Sequence, residues 1–120
     1  MNSEELVKKI VGTLDNKKGM DIVGIDIREL TTIGDYFVLV TGTSVPHVKA
    51  LAEEVEEALS KEGVEPRRVE GAQTATWILM DYQDVILHIF TKETREFYNM
   101  ERLWSDAPRL DLSGLVTGED

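Results

Sequence analysis

A chain of 120 residues without cysteine has the length of one domain and can bury a hydrophobic core without covalent staples. It offers no disulfide framework, thiolate metal site or cysteine nucleophile. Thirteen Lys plus Arg against 23 Asp plus Glu give a formal charge of −10, which repels nucleic-acid phosphates and suits an encounter with a basic protein better than direct binding of RNA or DNA. The start, MNSEELVKKI, is acidic and amphipathic rather than leader-like, and no apolar run approaches bilayer-spanning length, so a cytoplasmic protein without membrane contact is expected.

Ser3 is the expected cap of a first helix, with Glu4 and Glu5 in its first turn and Gly19 beyond its end. Leu6, Val7, Ile10, Val11 and Leu14 recur at helical spacing and give it one apolar stripe. DIVGIDIREL and DYFVLVTG read as strands joined around TTIG. The second is apolar on both faces, as an interior strand covered on both sides would be.

Ser44 caps a long helix with Pro46 in its first turn, where the missing N–H costs nothing. Val48, Leu51, Ala52, Val55 and Leu59 face inward, and Glu53, Glu54, Glu56, Glu57 and Glu62 form a solvated face. Gly63 ends this helix, and PRRVEG is a short, charged candidate for an edge strand.

From Ala75 to Met80 and from Asp84 to Thr91 two apolar runs flank DYQD, the pattern of a β-hairpin. A two-residue loop at Tyr82 and Gln83 pairs Asp81 with Asp84, Met80 with Val85, Leu79 with Ile86, Ile78 with Leu87 and Trp77 with His88. Alternation places Ile78, Met80, Val85, Leu87 and Ile89 on a core face. Trp77, Leu79, Asp81, Asp84, Ile86 and His88 fall on the other, a mixture suited to a protein-binding surface. A last helix runs from Lys92 or Glu93 through EFYNMERLW, with Phe97, Met100, Leu103 and Trp104 along one side, and stops before Pro108. Residues 1–106 then form one domain, and 107–120 an irregular tail whose Leu110, Leu112 and Leu115 dock on it. Helices alternating with strands in this order predict an α/β fold, a mixed β-sheet of about five strands covered by helices.

Chemistry is thinly supported. The turn Gly42-Thr43-Ser44 between strand and helix is one place where backbone N–H groups meet a phosphate, giving a nucleotidyltransferase-like enzyme as the alternative reading. It lacks the P-loop lysine and the dinucleotide glycine pattern, and a turn plus N-cap explains it. Asp81 and Asp84 lie at the hairpin tip, and neither His47 nor His88 has a recognisable nucleophile nearby in sequence. No cofactor and no metal is implied. Core packing for Trp77 and anchoring of the last helix for Trp104 are the plain alternatives to interface roles.

GTSVPHV at 42–48, Glu70-Gly71 and WILMDYQDVILHIFTKETREFYNMERLWSDAP at 77–108 resemble the ribosomal silencing factor family, also called Iojap. The resemblance covers about residues 3–108 and is carried by W-x-L-x-D, DV-x-x-H, R-x-FY and E-x-LW-x-DAP. It implies a nucleotidyltransferase-like fold without catalytic carboxylates, and no enzyme. It also implies a translation repressor that binds the large ribosomal subunit through the fourteenth large-subunit ribosomal protein and blocks joining of the small subunit, and a homodimer as a further association. On the matching positions the partner-binding residues are Trp77, Leu79, Asp81 and His88, joined by Tyr98, Glu101 and Trp104. Gln83 departs from the family's glycine, in a turn that calls for positive φ.

Overall fold

The computed structural model describes residues 1–117. Its elements are α1 (Ser3–Asn16), β1 (Met20–Asp26), β2 (Tyr36–Gly42), α2 (Val45–Ser60), β3 (Arg68–Glu70), β4 (Trp77–Asp81), β5 (Val85–Thr91), α3 (Lys92–Tyr98) and α4 (Met100–Leu103). The expected mixed sheet is present, with five strands in the order β1-β2-β5-β4-β3. Among the described residues only the central β2/β5 pair is parallel; β1/β2, β4/β5 and β3/β4 are antiparallel.

The two long helices form where the periodicity places them, and both predicted stripes are buried in full. They cover one face of the sheet, packing on Tyr36, Val38 and Val40 of β2 and on Ile78, Met80, Val85, Leu87 and Ile89 of the hairpin. Each fully buried aliphatic side chain in this layer contributes on the order of 2 kcal/mol. The cap of α1 is Asn2 rather than Ser3. Its side chain accepts the Glu5 N–H at 2.8 Å while Glu5 returns a bond to the Asn2 N–H at 3.0 Å, a reciprocal box that Ser3, one residue later, is not placed to make. Ser44 caps α2 as expected, accepting the His47 N–H.

β1 stops at Asp26, short of the expected Leu30. The Asp26 carboxylate bonds the backbone and guanidinium of Arg28 and turns the chain out of the sheet. The outer edge of β1 is closed by residues 108–110: Asp26 N–H bonds Pro108 O, and Leu110 N–H bonds Gly24 O. A side chain at Gly24 would collide with Leu110, so glycine permits this approach. Leu110, Leu112 and Leu115 pack on the main core; the acidic end at 118–120 lies outside the described residues.

Two expectations at the hairpin and beyond it change. The loop is Gln83 and Asp84, because Tyr82 N–H bonds Val85 O at 3.0 Å and Tyr82 is itself buried. The pairs are therefore Trp77 with Phe90, Leu79 with His88 and Asp81 with Ile86, two residues away from the predicted register. A shift of two leaves the strand side chains on their predicted faces, while Asp84 leaves the mixed face for the loop. The last helix is not continuous: Asn99 takes a left-handed conformation (φ 48°) between α3 and α4. Phe97 and Leu103, expected on the inward side, are 80% and 77% exposed, while Met100 and Trp104 pack on the sheet.

Candidate functional site

Alternation along β4 and β5 sends Trp77, Leu79, Ile86, His88 and Phe90 to the sheet face opposite α1 and α2. There they join Ile25, Ile27, Phe37, Leu39 and Ala107 in a second, smaller cluster, edged by Met100 and Trp104. No long helix covers this face among the described residues. The short α3–α4 segment shields its β5 C-terminal side and leaves a depression of about 650 Å³ floored by Phe37, Leu79, Ile86 and His88.

At the centre the Trp77 Nε1–H donates to His88 Nδ1 at 3.1 Å. An indole nitrogen only donates, so His88 is neutral with its proton on Nε2. His88 is 4% exposed and its Nε2–H has no partner. Desolvation pushes its pKa down to about 4. Aromatic contacts extend the pair in both directions: Trp77 lies 5.1 Å from Phe90 and 4.8 Å from Tyr98, and Phe37 lies 5.0 Å from His88 and 5.1 Å from Trp104, edge to face. Trp77, Leu79, His88, Tyr98 and Trp104 of the predicted set thus share one surface.

The two predicted acids do not sit on it as free carboxylates. Asp81 is 2% exposed at the end of β4, and its oxygens take the Gln83 N–H at 2.8 Å, Arg67 at 3.0 Å and, more distantly, Arg68 at 3.8 Å. Burial raises its pKa, but the Gln83 N–H and the two guanidiniums outweigh that and hold it below the usual carboxylate value. Both oxygens of Glu101 are engaged by Arg95, whose hydrogen bonds hold the Glu101 carboxyl low.

The composition reading missed the walls of the depression. Arg28 and Ile33 rise from the β1–β2 loop, and Arg67 and Arg68 from β3 and its approach. Ile33 is 52% exposed, and an apolar residue in a turn-rich TTIG segment was the available signal. Arg28, Arg67 and Arg68 stand with Asp35, Asp81 and Asp84 around the cavity, so its margin is mixed in charge although the chain is strongly acidic.

The Gly42-Thr43-Ser44 turn is filled from within. His47 Nδ1 accepts the Thr43 N–H at 2.8 Å, and His47 Nε2 meets the Lys17 carbonyl at 2.8 Å. A phosphate there would have to displace that acceptor. Tyr36 pairs with Val85 at one end of the parallel β2/β5 ladder and Gly42 with Thr91 at the other. Asp81 and Asp84 therefore lie about 20 Å along the sheet from this turn, too far to hold a metal beside it. Among the described residues no group of three or more His, Asp or Glu could hold a metal ion, and no helix is long and apolar enough to cross a membrane.

The family model described as "Ribosomal silencing factor during starvation" matches residues 1–120. The chain belongs to the ribosomal silencing factor family. The ribosomal silencing factor RsfS of Halalkalibacterium halodurans is 36% identical over 117 residues, covering 98% of this chain and all of the relative. That of Bacillus subtilis is 36% identical, with 93% and 95% of the two chains covered. A crystal structure of a Chromobacterium violaceum protein superposes with a TM-score of 0.85 at 34% identity over 88% of each chain. The fold and the aromatic face described above are thus those of a silencing-factor chain.

Proposed function

We propose that this protein represses translation by binding the large ribosomal subunit through the fourteenth large-subunit ribosomal protein and occupying the volume in which the small subunit docks. The observation that carries the reading is the asymmetry of the sheet: α1 and α2 seal one face, while on the opposite face Trp77 and Leu79 are left partly exposed over the buried His88, beside a depression with a polar margin. That is the arrangement of a binding site with a desolvatable middle and a wet rim. Family membership supplies the ribosome as the target, and the filled Gly42-Thr43-Ser44 turn supports an adaptor over an enzyme.

In this reading Trp77, Leu79, Tyr98 and Trp104 form the contact surface, supported from beneath by the buried His88, with Ile33 and the arginines as its margin. Asp81 and Glu101 act from behind it, Asp81 by shaping the hairpin turn. Repression needs no bond chemistry, because a 13.5 kDa body at a joining face excludes the incoming particle by volume. Co-sedimentation with purified large subunits, followed by addition of small subunits, tests it. Trp77→Ala should weaken binding by about 2 kcal/mol or more with the fold retained. Equal inhibition of joining by a folded Trp77→Ala variant would refute the assignment.

A further inference from the structure

The break at Asn99 divides what the sequence writes as one helix, and its neighbours show what holds it. Asn99 N–H still bonds Arg95 O at 2.9 Å, so α3 completes its last turn before the chain reverses hand. The Arg95 side chain, 10% exposed, reaches from α3 into the gap between α4 and the strands. Its Nη1 donates to Asp21 O at 2.7 Å and to Thr41 Oγ1 at 2.9 Å. Its Nε and Nη2 donate to the two oxygens of Glu101 at 3.2 and 2.9 Å. A guanidinium bound as a fork fixes rotation as well as distance, so this contact sets the orientation of α4, where a point charge would set only its proximity.

That orientation has a consequence for the aromatic face. In an unbroken helix Phe97, Met100 and Trp104 would share one side. With the break, Met100 and Trp104 turn onto the sheet, Trp104 against Phe37, while Tyr98 lies on Trp77 and Phe97 projects outward.

We propose that Arg95 is a positioning residue for the partner-binding face: by chelating Glu101 against β1 and β2 it holds Tyr98 and Trp104 around the Trp77–His88 pair. The inference rests on the reading that this face binds the large subunit. Glu101 then serves the interface through Arg95, without touching the partner.

Two full-length variants separate positioning from contact. Glu101→Gln weakens the fork, and Arg95→Lys keeps the charge and leaves Glu101 in place but removes the fork. Amide hydrogen exchange should accelerate over residues 96–104 in both and stay unchanged in α1 and α2. Affinity for purified large subunits should fall about tenfold in both. If Glu101→Gln weakens binding while Arg95→Lys binds as wild type, Glu101 is a contact and the proposal is overturned. Unchanged exchange over 96–104, or accelerated exchange with wild-type affinity, overturns it as well. Should Arg95→Lys fail to fold, Thr41→Val replaces it, removing one acceptor of Nη1 and sparing Glu101. If the wild-type chain does not bind large subunits, the function reading falls, and the exchange data alone then decide whether Arg95 holds the break.

Discussion

Trp77 sits diagonally across the β4/β5 ladder from His88, since its direct partner is Phe90, and its indole N–H reaches the His88 Nδ1 at 3.1 Å. Diagonal positions on one face are within reach of long side chains. The bond fixes the tautomer of a histidine that is almost fully buried. Charging it would turn the accepting nitrogen into a second donor facing the indole N–H.

Acid should therefore destabilise the fold through His88. Its pKa is depressed to about 4 in the folded chain, against about 6.5 unfolded, so the unfolded state binds the extra proton over that interval. Stability is held above pH 6.5 and lost as pH falls toward 4, by about 2 kcal/mol at pH 5. Thermal unfolding of wild type and His88→Gln between pH 7 and 4.5 should show the steeper fall in wild type. Parallel curves would contradict the buried neutral state.

Gly71 should not tolerate a side chain. Its φ is +80°, and a Cβ there would drive into the carbonyl oxygen of Trp77. Gly71→Ala combines a left-handed penalty with a backbone collision, and should cost at least about 2 kcal/mol in denaturant unfolding. Because the collision is with Trp77 itself, large-subunit binding should weaken too.

Gln83 stands at φ +75° in the hairpin loop, a conformation that costs a residue with a Cβ about 1–2 kcal/mol. Glycine removes that strain but adds freedom to the unfolded chain. Gln83→Gly should stabilise by up to about 1 kcal/mol, read as a higher unfolding midpoint without a change in slope.

Asp81→Ala should destabilise by about 1–2 kcal/mol, since it strips the Gln83 N–H of its acceptor and Arg67 of its counter-charge. The Asp81 carboxyl is held low in the folded state, so this contribution is present above the ordinary carboxylate pKa and is lost as pH falls through the folded value. The difference between Asp81→Ala and wild type should accordingly shrink in acid. Unfolding melts of both proteins across the acid range measure it.

What the sequence made legible was what repeats. The stripes of α1 and α2 and the division of the hairpin strands into two faces follow from periods of 3.6 and 2, and the edge position of β3 from its short, charged run. Single side chains decided the rest. Asp81 captures the Gln83 N–H and moves the loop by one residue, and Asp26 captures Arg28 and ends β1 early. A part-buried fork between Arg95 and Glu101, backed by the bonds of Arg95 to the sequence-distant Asp21 and Thr41, accompanies the break of a helix whose local pattern reads as continuous. Of the candidate site, the aromatic centre was readable because aromatic residues crowd into one stretch. Its walls were not, because Ile33, Arg67 and Arg68 come from separate loops and edges that only the strand order brings together.

The sheet with its sealed and half-open sides assigns a duty to each residue by parity. Along β4 the even numbers, Ile78 and Met80, anchor the helices, and the odd ones, Trp77 and Leu79, look toward the open side; along β5 the rule inverts, with Val85, Leu87 and Ile89 inward and Ile86, His88 and Phe90 opposite. Neighbouring residues of the same strand thus belong to different layers, one set to the main core under α1 and α2 and the other to the smaller aromatic cluster. A hairpin lengthened by two residues would keep both jobs, and one lengthened by a single residue would exchange them.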